Sequence, residues 1–109
     1  MRAVLENLIA RFNDRSEADE SLRAELEGME KVIRVITDRQ RFHMILKNCR
    51  IVDLEEGELE SADLTITADE ETLRGVIEGS IPPFKAFATG KLKVKASLED
   101  ILRFRKLLL

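Results

Sequence analysis

"ADLTITADEETLRGVIEGSIPPFKAFATGKLKVKAS", residues 62–97, passes from a twofold hydrophobic period to a helical one and back again. Leu64 and Ile66 alternate with polar residues, as in a strand with one buried face. Thr67 and Glu70 then stand at capping-box spacing, and Leu73, Val76 and Ile77 make an apolar helical stripe that Gly79 is placed to end. Pro82 and Pro83 restart the chain, since proline is tolerated in a first helical turn. Phe84, Phe87 and Ala88 fall on that turn, and Gly90 closes it. "KLKVKA" follows with strict alternation, Lys91, Lys93 and Lys95 on one side and Leu92 and Val94 on the other.

Outward from this stretch the pattern is consistent. Val4, Leu5, Leu8, Ile9 and Phe12 recur at helical spacing and predict a helix over about residues 2–13. A second, highly charged helix is expected next, capped from Asp14 or Ser16, whose stripe of Leu22, Leu26 and Met29 is thin enough to imply shallow burial. "EKVIRVITD", "RFHMILKN" and "CRIVDLEEG" read as three more strands, rich in β-branched residues and joined by short turns that lack an Asn-Gly signature. After the fifth strand, "SLEDILRFRKLLL" reads as a last helix capped by Ser97, with Asp100 at capping-box distance. Its apolar arc includes Leu98, Ile101, Leu102 and Phe104, and Arg105 lies within that arc. The class is therefore α+β, a mainly antiparallel five-stranded sheet with helices packed on one face.

Composition bounds what such a chain can do. At 109 residues it holds one domain, with N-terminal helices over 1–29 and the sheet-bearing core over 30–109. Five Phe and no Tyr or Trp leave the interior to aliphatic side chains. One cysteine, Cys49, excludes an internal disulfide, and no run reaches the length of a membrane span; a cytoplasmic location is expected. The charge is only -3, but Asp53 to Glu78 is acidic apart from Arg74, and basic residues dominate from Phe84 onward. Such blocks commonly just solvate a surface. The sharper reading is contact with an anionic membrane surface or a ligand's phosphate. Nucleic acid is not expected, because no aromatics interleave the lysines.

Catalytic candidates are few. His43 and Cys49 are single, and six residues of strand hold them about 20 Å apart. The acidic run Glu55, Glu56, Glu58, Glu60 and Asp63 lacks the spacing of a calcium loop. The sequence calls for no enzyme, no cofactor and no metal.

The stretch 62–97 resembles the sterol carrier protein 2 family: an "ADLTI" strand, an acidic-started helix ending in glycine, a proline, then "KAFATGKLKV". The likeness extends in character over about 30–109. It implies a hydrophobic tunnel between sheet and helices that binds a fatty acid, acyl-coenzyme A, sterol or phospholipid without chemistry. On that implication the wall candidates are Leu73, Val76, Ile77, Phe84, Phe87, Ala88, Leu92, Val94, Ile101 and Leu102, with Arg105 at the mouth for a headgroup. Ala96-Ser97 departs from the glycine usual there, and the Leu107-Leu108-Leu109 terminus is no peroxisomal address. The alternative is the same fold with a filled core, whose apolar C-terminal surface forms a homodimer or docks a partner protein.

Overall fold

The computed structural model describes residues 1–102. Its elements are α1 (Arg2–Ala18), α2 (Glu20–Leu26), β1 (Lys31–Ile36), β2 (Arg41–Lys47), β3 (Arg50–Glu56), β4 (Leu64–Thr67), α3 (Glu70–Glu78), α4 (Pro83–Ala88) and β5 (Lys93–Ala96), followed by helical residues 98–102. The sheet runs β3-β2-β1-β4-β5. Every neighbouring pair is antiparallel except β1 and β4, which are parallel. That one parallel pair requires residues 57–63 to carry the chain from the β3 edge across β2 and β1, and they do so over a sheet face.

Alternation decides which face is which. Ile33 and Val35 of β1, Phe42, Met44 and Leu46 of β2, and Leu64 of β4 are buried in one cluster with Leu5 of α1, Leu22 and Leu26 of α2, and Leu73 and Ile77 of α3. The expectation of shallow burial for the second helix is corrected here: Leu26 is 0% exposed, and Leu22 and Met29 are buried too. Three apolar side chains suffice because α2 has only seven residues and packs against α1.

Local boundaries differ from expectation for identifiable reasons. α1 runs on to Ala18 because Ser16 turns inward, where its Oγ donates to the Cys49 carbonyl at 2.6 Å instead of capping a helix. Asp19 takes the cap of α2, accepting from the Leu22 amide. β5 starts at Lys93 because the Lys91 and Leu92 amides both donate to Ala86 O, prolonging the end of α4. The β2–β3 turn holds Asn48 at φ 53° and Cys49 at φ 63°, as a type I′ hairpin requires, with cysteine where glycine is usual. Helix α3 ends at Gly79, φ 88°, whose Ser80 neighbour donates back to Gly75 O at 2.9 Å. A Cβ at Gly75 would lie 2.5 Å from Ile81 Cδ1, so any larger residue there must displace the Ile81 side chain.

The cap of α3 is Asp69, not Thr67, which belongs to β4. Its carboxylate accepts from the Thr72 amide at 2.7 Å, which with the Thr72 hydroxyl and nearby Lys91 holds the group below the usual carboxylate range. A folded-state value below the unfolded one stabilises the fold above about pH 4 and stops doing so as pH falls through the folded value. We expect Asp69→Ala to cost about 1 kcal/mol at pH 7 and less at pH 3, read by urea unfolding at both pH values.

Candidate functional site

The sequence-predicted wall residues divide into two groups. Leu73 and Ile77 lie inside the core cluster, and Leu92 and Val94 are half-buried against it. Val76, one residue and about 100° of helix from Ile77, is half-buried outside that cluster. The others face outward. Phe84 is 78% exposed and Phe87 53%; Ala88 is exposed beside them. Leu98 is 73% exposed, Leu102 53% and Ile101 37%. Arg105 lies outside the described residues, as do Phe104 and the terminal leucines.

These outward groups are positioned by firm anchors. Ala86, 1% exposed, pins α4 down by the face opposite the phenylalanines. Thr89 Oγ1 is within donating distance of both Lys85 O (2.9 Å) and Ala86 O (3.2 Å), so its proton serves the end of α4. At the other end of β5, Ser97 Oγ accepts from the Asp100 amide at 3.1 Å, the expected cap. The Asp100 carboxylate is buried and pairs with Lys31 Nζ at 3.1 Å, fastening residues 98–102 to the start of β1. Holding five large apolar side chains in water on well-anchored segments is costly for a fold, and such surfaces mark interaction sites.

Elsewhere the structure brings together residues that periodicity alone did not flag. A groove of about 420 Å³ runs between α1 and the edge strand β3, lined by residues including Ile9, Asn13, Ile51 and Leu54. Asn13 is buried there, donating to Ile51 O at 3.0 Å and accepting from Ile51 N at 2.8 Å, as a neighbouring strand would. The available signal was spacing: Asn13 is four residues from Ile9 and Ser16 seven, on the same helix face. His43 sits in mid-strand opposite Glu55, and Cys49 in the turn, so the two do not converge. Among the described residues no cluster of three or more His, Cys, Asp or Glu is arranged to hold a metal ion. No described helix is long and apolar enough to cross a membrane.

Helices on one face of a mixed five-stranded sheet, with exposed apolar side chains on the segments before and after the edge strand β5, define an α+β domain with apolar surface on display. The model of the SCP-2 sterol transfer family matches residues 7–109, and the chain belongs to that family, a sterol- and lipid-transfer domain. Its fold is shared by the palmitated SCP2L2 of Aedes aegypti, at TM-score 0.63 and 17% identity over 94% of this chain and 92% of that one. A crystal structure of sterol carrier protein 2 superposes at TM-score 0.63 and 20% identity, covering 97% and 91%. The stereoselective sec-alkylsulfatase Pisa1 from Pseudomonas sp. also contains the fold, at TM-score 0.59 and 15% identity. There the match covers 79% of this chain and only 13% of the sulfatase, so this chain spans a small part of that protein's length. No curated protein matches by sequence.

Proposed function

We propose that the chain binds one long-chain lipid through the apolar side chains displayed by α4 and by residues 98–102, before and after β5, and carries it without chemical change. The observation behind this is the exposure of Phe84, Phe87, Leu98 and Leu102, each more than half in water on anchored segments. A lipid chain laid there would replace water at about 0.8 kcal/mol per CH₂ before the costs of ordering. Val76, Ala88, Leu92, Val94 and Ile101 would line the site over the buried Leu73 and Ile77, and Arg105 would meet the headgroup. The palmitated state of the Aedes neighbour supports a fatty acyl chain as ligand. So does chemistry: with no Tyr or Trp, and with the Thr89 proton engaged by α4, few donors remain for a sterol hydroxyl. Lys85 stands between the phenylalanines and Lys91 follows them, an arrangement suited to approach an anionic membrane surface during loading.

Native mass spectrometry of the purified protein, followed by solvent extraction, tests the reading. A stoichiometric fatty acid or acyl thioester is expected. Phe87→Ala should weaken palmitate binding by about tenfold while leaving the unfolding midpoint nearly unchanged, because the side chain is already half in water. The exposure of Leu98 and Leu102 also favours a second reading, a dimer or protein-docking face. A concentration-dependent dimer that takes up no supplied palmitate would establish that reading in place of the carrier.

A further inference from the structure

The sheet face away from the helices carries a transverse row of polar side chains. Cross-strand register aligns Glu55 of β3, His43 of β2, Arg34 of β1, Thr65 of β4 and Lys95 of β5. At the β1-β4-β5 end of this row lies a cleft of about 330 Å³, lined by residues including Arg34, Thr65, Lys95, Ser61 and Ser97. Residues 60–63, the end of the crossing toward β4, contribute to its lining.

The chemistry inside is uneven. Arg34 donates Nη1 to Leu59 O at 2.7 Å and Nε to Thr65 Oγ1 at 3.2 Å, which fixes the guanidinium and leaves it further donors. Neither Arg34 nor Lys95 pairs with a carboxylate among the described residues. Thr65 is buried, and its hydroxyl oxygen accepts from Arg34, leaving the proton to donate. Of the two acids on the lining, Asp63 is engaged, its Oδ2 accepting from the Val32 amide at 2.8 Å. Glu60 is exposed at the rim.

Two unpaired cations flanking a hydroxyl, with serines on either side, make a set of donors converging on one space. We propose that this cleft binds a compact phosphate monoester, with Arg34 and Lys95 on the phosphate oxygens and Thr65 donating between them. A fixed guanidinium and a mobile ammonium suit a dianionic group. The rim carboxylate of Glu60 disfavours a second negative group, so the ligand is a monoester and not a polyphosphate. The cleft lies on the opposite side of the sheet from α4 and the helices, so it stands whether or not the apolar surface carries a lipid.

The test is an amide chemical-shift titration of the full chain with inorganic phosphate and with glycerol 3-phosphate, alongside sedimentation with phosphatidylcholine vesicles containing phosphatidate. Saturable shifts are expected at residues 60–63, 65 and 95–97. Lys95→Gln, at an exposed side chain with no hydrogen bond or ion pair among the described residues, should weaken binding about tenfold or more. Lys93→Gln, two residues along the same strand and outside the cleft, should change it little. Arg34→Gln also loosens the 57–63 crossing through Leu59, so Lys95 is the deciding variant. Soluble binding that depends on Lys95 identifies a free phosphate ester; Lys95-dependent binding to vesicles alone identifies the same group on a lipid. No binding in either form, or equal loss with Lys93→Gln and Lys95→Gln, overturns the proposal.

Discussion

Leu26→Ala should lower the free energy of unfolding by about 3 kcal/mol, a large share of the stability of a chain this size. The side chain is 0% exposed, and it stands among Leu5, Leu22, Met29 and the strand residues of the main cluster. Truncation removes three carbons from full burial and leaves a cavity between α2 and the sheet, where α1 and the strands are already held by other contacts and cannot close the gap. A short helix amplifies the loss. With seven residues and two buried leucines, α2 has little intrinsic stability, and its docking rests on Leu22 and Leu26. Urea unfolding followed by circular dichroism provides the measurement. A loss under 1 kcal/mol would mean that α2 contributes only a cover and that the core is complete without it.

Asn13→Ala should cost about 2 kcal/mol, more than an ordinary surface-helix substitution, because it strips two bonds from the backbone of an edge strand. Ile51 N and Ile51 O both face Asn13, and among the described residues no strand lies beyond β3 to replace it. The neighbouring bonds from Ser16 to Cys49 O and from Arg2 to Leu54 O show the same device, helix side chains closing a strand's free edge. Unpaired edges invite pairing with another chain, so this closure also protects against association. Amide hydrogen exchange separates the local effect from the global one: exchange at Ile51 should quicken in Asn13→Ala under native conditions, while Leu46, bonded within the sheet, should follow only the change in global stability. Unchanged exchange at Ile51 would show that water in the adjoining groove already satisfies it.

Much of the architecture was legible along the chain. Alternation in "EKVIRVITD", "RFHMILKN" and "ADLTITA" located three strands to within two residues, because a strand with one buried face must alternate. Gly79 ended α3 and Ser97 capped the final helical segment for reasons local to a few residues. Errors came where a residue had two competing local uses. Ser16 reads as a helix cap from its neighbours alone, yet it bonds a carbonyl 33 residues away. Thr67 offered a capping box but continued a strand, and Asp69 capped the helix instead.

The candidate surfaces were legible to different degrees. Periodicity grouped Leu73, Ile77, Leu92 and Val94 with Phe84, Phe87 and Leu102, since all are apolar at suitable spacing; it carries no information on which of them meet neighbours and which meet water. The burial of Leu26 behind a stripe of three residues was invisible for a related cause, because depth depends on what packs opposite. The phosphate-binding cleft is a matter of register. Arg34, Thr65 and Lys95 are unremarkable polar residues at alternating positions, separated by about thirty residues each along the chain.

By itself, then, the sequence determined the strands, the helices, the ends at Gly79 and Ser97 and the apolar stripes they carry, because these depend on interactions within a turn or two of chain. The strand order and the parallel β1–β4 pairing, the path of residues 57–63 over the polar face, the edge closure by Asn13 and Ser16, and the outward display of Phe84 and Phe87 were decided only in the tertiary structure. Each of these joins segments distant in the chain, and their register is set when all of the apolar faces compete at once for one core.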